Sequence, residues 1–340
     1  MGSLYFVESP FQVINALEAA SYFKDTDGVV IIRRSSESEN NVQMDRLLEK
    51  WKWRSVLNIP YHQNYFITGL KALWMAKQMA RMKCAFERAF QGIFGSGCQN
   101  LVVGNTSFRE LYHLDDGAYT FEVQENFLQY KNPYPQPESA LKNLFLKSLG
   151  LKTTITKPVN LFTCFRINPG PNQKIIRHNF EFLKSLFPTP REHTDEKILF
   201  IGGNWVEFDY LKKDFYFNYL LGVRRMFGDK KIVYIAHRRE DERNLESYAR
   251  IPGFSIVKYK HPLEYEFLAQ GIRPSRIVGP YSTVFFTLTQ IFKKLPITLL
   301  DFPDEEVSLS GRSRIQHFRR LFAEQLETEP VRVELPPGNE

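Results

Sequence analysis

The chain alternates short apolar runs with longer segments in which apolar residues recur every three or four positions. An apolar run at residues 4–7 precedes a segment of helical spacing at 11–23, and a second run follows at 28–33. Short apolar runs are typical of buried strands, and the longer spacing is typical of helices that pack on a sheet. The alternation therefore predicts a parallel α/β sheet.

The same reading covers the rest of the chain. In the first half it predicts strands at 55–59, 100–104, 119–123 and 160–165, helices at 42–51, 65–94 and 141–149, and a short helix or turn at 106–112. In the second half it predicts strands at 197–201, 231–236, 254–258, 276–279 and 297–300, and helices at 175–187, 209–227, 240–250, 263–268 and 305–327, the last interrupted at Gly311. A further helix is predicted to open at Ser282 and Thr283.

The alternation of predicted strands and helices is interrupted once and then resumes. Residues 169–171 read Pro-Gly-Pro, residues 188–196 are polar and contain two prolines, and a new strand begins at 197. We therefore expect two Rossmann-like domains facing a cleft, with a C-terminal helix crossing back, which is a GT-B architecture. The predicted domains are residues 1–175 and 176–310, followed by a C-terminal helix and tail at 311–340.

The composition limits the classes of binding partner that we expect. The net charge of +7 favours an anionic partner, and no nucleic-acid-binding motif is visible. No signal peptide is visible and no apolar run approaches the length of a membrane span, so we expect a cytoplasmic protein. The basic segments at 71–88 and 142–147 are either solvated faces or peripheral contacts with an anionic inner-membrane surface. Aromatic residues at 14% predict a core rich in Phe and Tyr, or a sugar-handling surface.

Candidate chemistry follows from the position of loops in such sheets, since ligands bind at the carboxyl ends of the strands. In the second half these loops contain Gly202, Gly203, Asn204, His237, Arg238, Arg239, His261, Pro262, Ser282 and Thr283. In the first half they contain Ser9, Asn105, Asp115, Asp116 and Gly117.

The second-half loops suit a phosphate. Ser282 and Thr283 open a helix, where hydroxyl and backbone N–H groups either form an ordinary cap or bind phosphate. His261 stands before Pro262 at a strand end and could donate a proton to a leaving phosphate. Arg238 and Arg239 form either an exposed helix start or a bidentate site for phosphate or carboxylate.

The first-half loops contribute an acidic pair. Asp115 and Asp116 precede Gly117 and could form a turn, a metal site, or a general base with a neighbouring carboxylate that raises its pKa. An Asp-Thr-Asp sequence at 25–27 precedes a strand and a glycine, so we interpret it as a turn and not as a metal and nucleotide motif.

Three short motifs occur in a meaningful order: Asp115-Asp116-Gly117, His261-Pro262 and Ser282-Thr283. Together with the opening sequence at residues 5–12, this order resembles the bacterial sialyltransferases and polysialyltransferases. The resemblance spans residues 4–290, mostly as architecture.

The resemblance implies an inverting transferase that needs no metal and no other cofactor. It would move a nonulosonic acid, most often sialic acid, from its CMP donor to a hydroxyl of a bacterial surface glycan such as capsule or lipooligosaccharide. Asp115 would be the general base and His261 the acid, and Ser282 and Thr283 would hold the phosphate, with Asp116 in support. The first domain would bind the acceptor and the second the CMP-sugar.

Two alternatives stay open. The same fold could carry a transferase that uses a UDP or GDP donor, or a UDP-sugar epimerase. A glycan-binding protein with a degenerate site would also fit the pattern.

Overall fold

The computed structural model describes residues 2–63, 65–81, 86–128, 140–170, 172–192 and 197–335. The chain divides into two compact units, Met1–Leu186 and Phe187–Glu340. Both are built on a parallel sheet.

The first unit contains a seven-stranded parallel sheet in the order β3-β2-β1-β4-β5-β6-β7. Its strands are β1 Leu4–Val7, β2 Val29–Arg33, β3 Ser55–Ile59, β4 Phe86–Gln91, β5 Phe108–Leu114, β6 Val159–Thr163 and β7 Ile175–Arg177. Its helices are α1 Pro10–Tyr22, α2 Ser38–Leu48, α3 Tyr65–Arg81, α4 Gly97–Gly104, α5 Tyr119–Val123 with a π-helical extension Gln124–Leu128, α6 Ala140–Ser148 and α7 Glu181–Ser185.

The second unit contains a six-stranded parallel sheet in the order β11-β10-β9-β13-β14-β15, and a separate pair β12-β8. The strands are β8 Arg191–Glu192, β9 Ile198–Ile201, β10 Ile232–Ile235, β11 Phe254–Val257, β12 Ile272–Arg273, β13 Ile277–Gly279, β14 Ile297–Asp301 and β15 Val331–Arg332. The helices are α8 Lys213–Met226, α9 Glu242–Ala249, α10 Leu263–Ala269, α11 Val284–Ile291 and α12 Leu309–Leu326, with a 3₁₀ turn at Asp304–Glu306.

Aromatic side chains fill the core of both units. In the first unit Tyr5 of β1 stacks on Phe90 of β4 at 4.7 Å between ring centroids, and Phe90 stacks on Tyr112 of β5 at 5.4 Å. In the second unit Tyr216 of α8 and Tyr234 of β10 are completely buried and joined by a 3.1 Å hydrogen bond. The expected Phe- and Tyr-rich core is present, so the aromatic content is largely structural.

The C-terminal helix α12 packs on the second unit. Phe322 of α12 lies 4.4 Å from the ring of Phe286 and 5.2 Å from that of Tyr281. The chain after α12 then adds β15 beside β14 in the same sheet. Gly311 lies inside α12 without interrupting it, where a β-carbon would be 3.1 Å from atoms of Tyr210 and Val307.

The boundary between the units lies after Leu186, not after residue 175 as predicted. Strand β7 pairs with β6, and Glu18 of α1 accepts the backbone N–H groups of Phe182 and Leu183 at 3.0 and 2.7 Å. These bonds fasten α7 to α1, so the segment at 176–186 belongs to the first unit.

The wrongly predicted elements lie between residues 65 and 187. The predicted helix 65–94 ends at Arg81, and Phe86–Gln91 is the central strand β4. A strand covered on both faces loses its alternation, and the apolar positions 86, 89 and 90 imitate helical spacing. The predicted helix 175–187 is β7 followed by α7, and the predicted helix or turn at 106–112 is mostly the strand β5.

Two predicted strands are helices. Residues 100–104 lie in α4, because the Ser96 hydroxyl accepts the N–H of Gln99 at 3.3 Å and caps the helix start. Residues 119–123 form α5, a five-residue helix too short for its period to be read. The other strands and helices stand close to their predicted positions.

Candidate functional site

The strand order of the second unit creates a crevice between β9 and β13, where the direction of winding reverses. The loops after these strands carry Gly202 and Ser282 respectively. Gly279 ends β13 with φ of 150°, and a β-carbon there would lie 2.6 Å from the carbonyl oxygen of Ile201. Only glycine allows this close approach, which brings the two loops together.

Gly202 and Gly203 have a packing role. A β-carbon on Gly202 would lie 2.6 Å from the Tyr234 ring, and one on Gly203 would lie 2.4 Å from Nε1 of Trp205. Asn204 follows, half-buried. The two glycines thus admit large aromatic side chains of their own unit, which is a different reason from the predicted approach of a donor.

His237, Arg238 and Arg239 follow β10, the strand beside β9. Both arginines are exposed. Burial and the adjacent arginines lower the pKa of His237 to about 4, so its ring is neutral near pH 7. In this loop the positive charge is therefore carried by the arginines and not by His237.

Glu240 holds the loop at His237–Arg239 in place through hydrogen bonds. Its carboxylate accepts the backbone N–H of His237 at 2.5 Å and the hydroxyl of Tyr234. Burial raises the pKa of Glu240 to about 8. The sequence analysis assigned this residue no role, although a Glu beside a His-Arg-Arg sequence at a strand end is a visible signal.

His261 follows β11 and is paired with a carboxylate. Its Nδ1 lies 2.8 Å from Oε1 of Glu266, and both side chains are partly buried. The ring also packs at 4.8 Å from that of Tyr265. Pro262 has ψ of 144° and ends the extended segment where α10 begins. A carboxylate on one ring nitrogen fixes the orientation of the imidazole.

Ser282 and Thr283 stand at the start of α11, as predicted. The Ser282 hydroxyl accepts the N–H of Val284 at 3.4 Å, so it acts as a cap. Glu264 of α10 accepts a hydrogen bond from Thr287 of α11, and this contact holds the two helices side by side. The loops after β9, β10, β11 and β13 therefore lie along one edge of the sheet.

The two adjacent carboxylates of the first unit, Asp115 and Asp116, differ in solvent exposure. Asp115 has 0% exposure and accepts the N–H of Cys164 at 2.7 Å, and burial raises its pKa to about 7. Asp116 is half-buried and accepts a hydrogen bond from Gln12 at 2.8 Å. Gly117 has φ of 60° and makes the turn that follows. An acceptor molecule could touch Asp116 but not Asp115.

Ser9 and Asn105 have local structural roles. Ser9 caps α1 by accepting the N–H of Gln12 at 3.3 Å. Asn105 follows α4 and precedes β5, so it lies at the amino end of that strand and away from the predicted edge. Its side chain binds the backbone of Lys152 through two hydrogen bonds of 2.9 and 2.8 Å. The error follows from reading α4 as a strand.

The sequence analysis missed a polar network at the carboxyl edge of the first sheet. Glu8, directly after β1, accepts hydrogen bonds from Arg33 at 2.8 Å and from Gln99 at 2.9 Å. Gln12 donates to Asp116 and accepts the N–H of Glu8 at 2.8 Å. The polar residues within the apolar opening segment at 5–12 were the available signal.

No protein-family model and no curated protein sequence matches this chain. Solved structures do match in fold. One described as a UDP-N-acetylglucosamine 2-epimerase is 12% identical with a TM-score of 0.51, and the match covers 99% of each chain.

Two further matches agree. The UDP-GlcNAc 2-epimerase of Methanocaldococcus jannaschii is 13% identical with a TM-score of 0.50, over 100% of this chain and 96% of that one. A protein assigned as the corresponding enzyme of Listeria monocytogenes is 10% identical with a TM-score of 0.51, over 89% and 79%. The chain therefore has the GT-B fold, with two Rossmann-like units.

Proposed function

We propose that the chain is a glycosyltransferase whose donor sugar is activated by a pyrimidine nucleotide. One observation carries the proposal. The His261–Glu266 pair lies along the same sheet edge as the exposed Arg238 and Arg239 and the start of α11. A proton donor, two guanidinium groups and a helix start are the groups that a departing phosphate requires.

In this proposal His261 donates to the phosphate oxygen as negative charge develops on the leaving nucleotide. Glu266 is a positioning residue that holds the ring in place. Arg238 and Arg239 bind the phosphate or a sugar carboxylate. The Ser282 hydroxyl serves as a cap. The proposal therefore assigns the binding of phosphate to the backbone N–H groups at the start of α11 and not to this hydroxyl.

For the acceptor, the proposal assigns the general base to Asp116. Asp115 was the expected base, but a carboxylate without exposed surface cannot take a proton from an acceptor hydroxyl. Asp116 is the neighbouring carboxylate with exposed surface, and Gln12 orients it. Asp115 takes no direct part in this step.

Two donors are proposed for the same site. The order of the three motifs favours a CMP-activated nonulosonic acid, whose carboxylate would suit the arginine pair. The structures of the same fold are of proteins named for UDP-N-acetylglucosamine, which favours a UDP-sugar. A UDP-sugar epimerase would act on the donor alone, without an acceptor glycan.

A nucleotide and donor panel separates these outcomes. CMP, CDP and UDP are tested for thermal stabilisation of the full chain against GDP and ADP, and CMP-Neu5Ac and UDP-GlcNAc for nucleotide release with glycan acceptors. Stabilisation by a pyrimidine nucleotide and acceptor-dependent release are expected. Isomerisation of UDP-GlcNAc without acceptor identifies an epimerase. Binding of glycan alone, with no nucleotide effect, contradicts the proposal.

Peripheral membrane contact is proposed for α6. Among the helices of the described residues, none is long and apolar enough to cross a bilayer. Leu141, Leu144 and Phe145 of α6 are nevertheless 81%, 67% and 55% exposed, with Lys147 exposed on the same short helix. An apolar stripe beside basic charge suits an anionic membrane surface. The fraction of protein that sediments with anionic vesicles should be several-fold lower for Leu144→Glu than for the wild type. An unchanged fraction would contradict this role.

A further inference from the structure

Three potential metal ligands converge inside the first unit, beyond the ends of adjacent strands. Asp115 follows β5, Cys164 follows β6 and His178 follows β7. One ligating atom of each lies within 4.8 Å of those of the other two, and all three residues are buried. The proposed transferase chemistry uses none of them directly.

The hydrogen bonds of His178 fix which nitrogen carries its proton. Asn15 donates its side-chain NH₂ group to the carbonyl of Phe11 at 2.9 Å, so its oxygen faces His178 Nε2 at 2.8 Å. Nε2 must therefore be the N–H donor, and Nδ1 carries the lone pair.

Within the part of the chain that the structure describes, this lone pair has no partner. His178 Nδ1 and Asp115 Oδ1 are both buried and accept no hydrogen bond there, whereas the other oxygen of Asp115 does. The ring cannot turn away, because it stacks on Phe162 at 4.8 Å between centroids and meets Phe180 edge-on at 5.0 Å. Two unsatisfied acceptors in one buried cluster are costly unless a cation or a shared proton lies between them.

We propose that Asp115, Cys164 and His178 bind a transition-metal ion, with Zn²⁺ as the best fit. The donors are one carboxylate oxygen, one thiolate sulfur and one neutral imidazole nitrogen, the set that zinc prefers. Zinc–ligand bonds of about 2.0–2.3 Å set donor atoms roughly 3.5 Å apart, so side-chain shifts of about 1 Å bring the three donors into bonding range and leave the fourth position to a water molecule. Loading releases the thiol proton of Cys164 to solvent.

The surroundings already have the form of a second ligand shell. The non-ligating nitrogen of His178 donates to Asn15, as metal-bound histidines commonly do. The other oxygen of Asp115 accepts the backbone N–H of Cys164. Because the three ligands follow three neighbouring strands, the ion would clamp the edge of the sheet beyond β5, β6 and β7. Its role is structural, and the inference does not rest on the proposed transferase activity.

The test is the metal content of the full chain purified without chelator from zinc-supplemented medium. We expect about one zinc ion per chain, and less than a tenth of that in Cys164→Ser and His178→Gln. Cys98→Ser is the matched control and should keep the ion, since Cys98 lies in α4, outside the cluster.

Cobalt-loaded protein gives a second readout that does not depend on variant stability. The wild-type chain and Cys98→Ser should show a thiolate-to-cobalt charge-transfer band that Cys164→Ser lacks. A wild-type chain that holds neither zinc nor cobalt would overturn the proposal. A proton shared by Asp115 and His178 would then be the remaining explanation. A band of equal strength in Cys164→Ser would overturn it as well.

Discussion

The carboxyl edges of the two sheets share a winding pattern and differ in electrostatics. In the first unit the charges at the edge are matched internally, since Glu8 pairs with Arg33 and binds Gln99. In the second unit Arg238 and Arg239 are exposed at the corresponding edge.

This difference indicates where an anion can bind. Both sheets place loops at a crevice, but the fold alone does not choose the ligand. A matched edge gains little from an anionic ligand, because its carboxylates would repel it. An edge with exposed guanidinium groups gains charge-assisted hydrogen bonds. We therefore expect a nucleotide phosphate to bind in the second unit.

The largest effect is expected at His261. His261→Ala should lower kcat by about 10²–10⁴-fold, because general acid catalysis contributes that much. Glu266→Gln should lower kcat less than His261→Ala does, because the ring keeps its proton donor and loses only the carboxylate that orients it. The exposed His62→Ala serves as the control and should keep normal turnover. Normal turnover in His261→Ala would remove the second unit from the chemistry.

The acidic pair gives the matching test in the first unit. Asp116→Asn should lower turnover by about 10²-fold or more, because an amide cannot act as a base. The amide oxygen still accepts from Gln12, so the fold should persist. Asp115→Asn should affect turnover less than Asp116→Asn. The reverse order would restore Asp115 as the base and contradict the assignment made from burial.

The arginine pair should show a smaller effect, on binding. Arg238→Ala with Arg239→Ala should raise the donor KM by roughly 10–100-fold, as expected for lost charge-assisted hydrogen bonds of about 1.5–3 kcal/mol. Arg250→Ala, an exposed arginine after α9, is the control. An unchanged KM in the double variant would mean that the exposed charges only solvate this edge.

Prediction from sequence succeeded where local signals sufficed. Strands such as β2 and β9 were visible as apolar runs, and the loops after β11 and β13, which carry His261 and Ser282, were expected at the carboxyl edge where the structure has them. The central strand β4 and the capped helix α4 were misread because burial on both faces and a single Ser96 hydrogen bond outweigh propensity.

The site roles depended on details that no pattern carries. The sequence shows two adjacent aspartates, but only the folded chain separates a buried Asp115 from a half-buried Asp116. Partners distant in sequence, such as Gln12 for Asp116 and Asn15 for His178, were likewise invisible. Such contacts depend on packing between elements and not on local spacing.

The smallest effect concerns stability. Glu240 has a folded pKa of about 8, raised by burial from 4.5. Its stabilising contribution is complete below about pH 4.5 and is lost as pH rises through about 8. Between those limits the wild-type melting midpoint should fall by roughly 5 °C more than that of Glu240→Gln, which stays neutral. Glu246→Gln, at an exposed position of the following helix α9, should behave like the wild type.

The central claim is that the second unit holds the nucleotide, and hydrogen–deuterium exchange tests it most directly. The full chain is compared with and without saturating UDP, and separately with and without saturating CMP. The account predicts protection by at least one nucleotide in segments 202–206, 237–241, 261–265 and 281–286, with none at 115–117. Protection confined to the first unit, or no protection by either nucleotide, would contradict it.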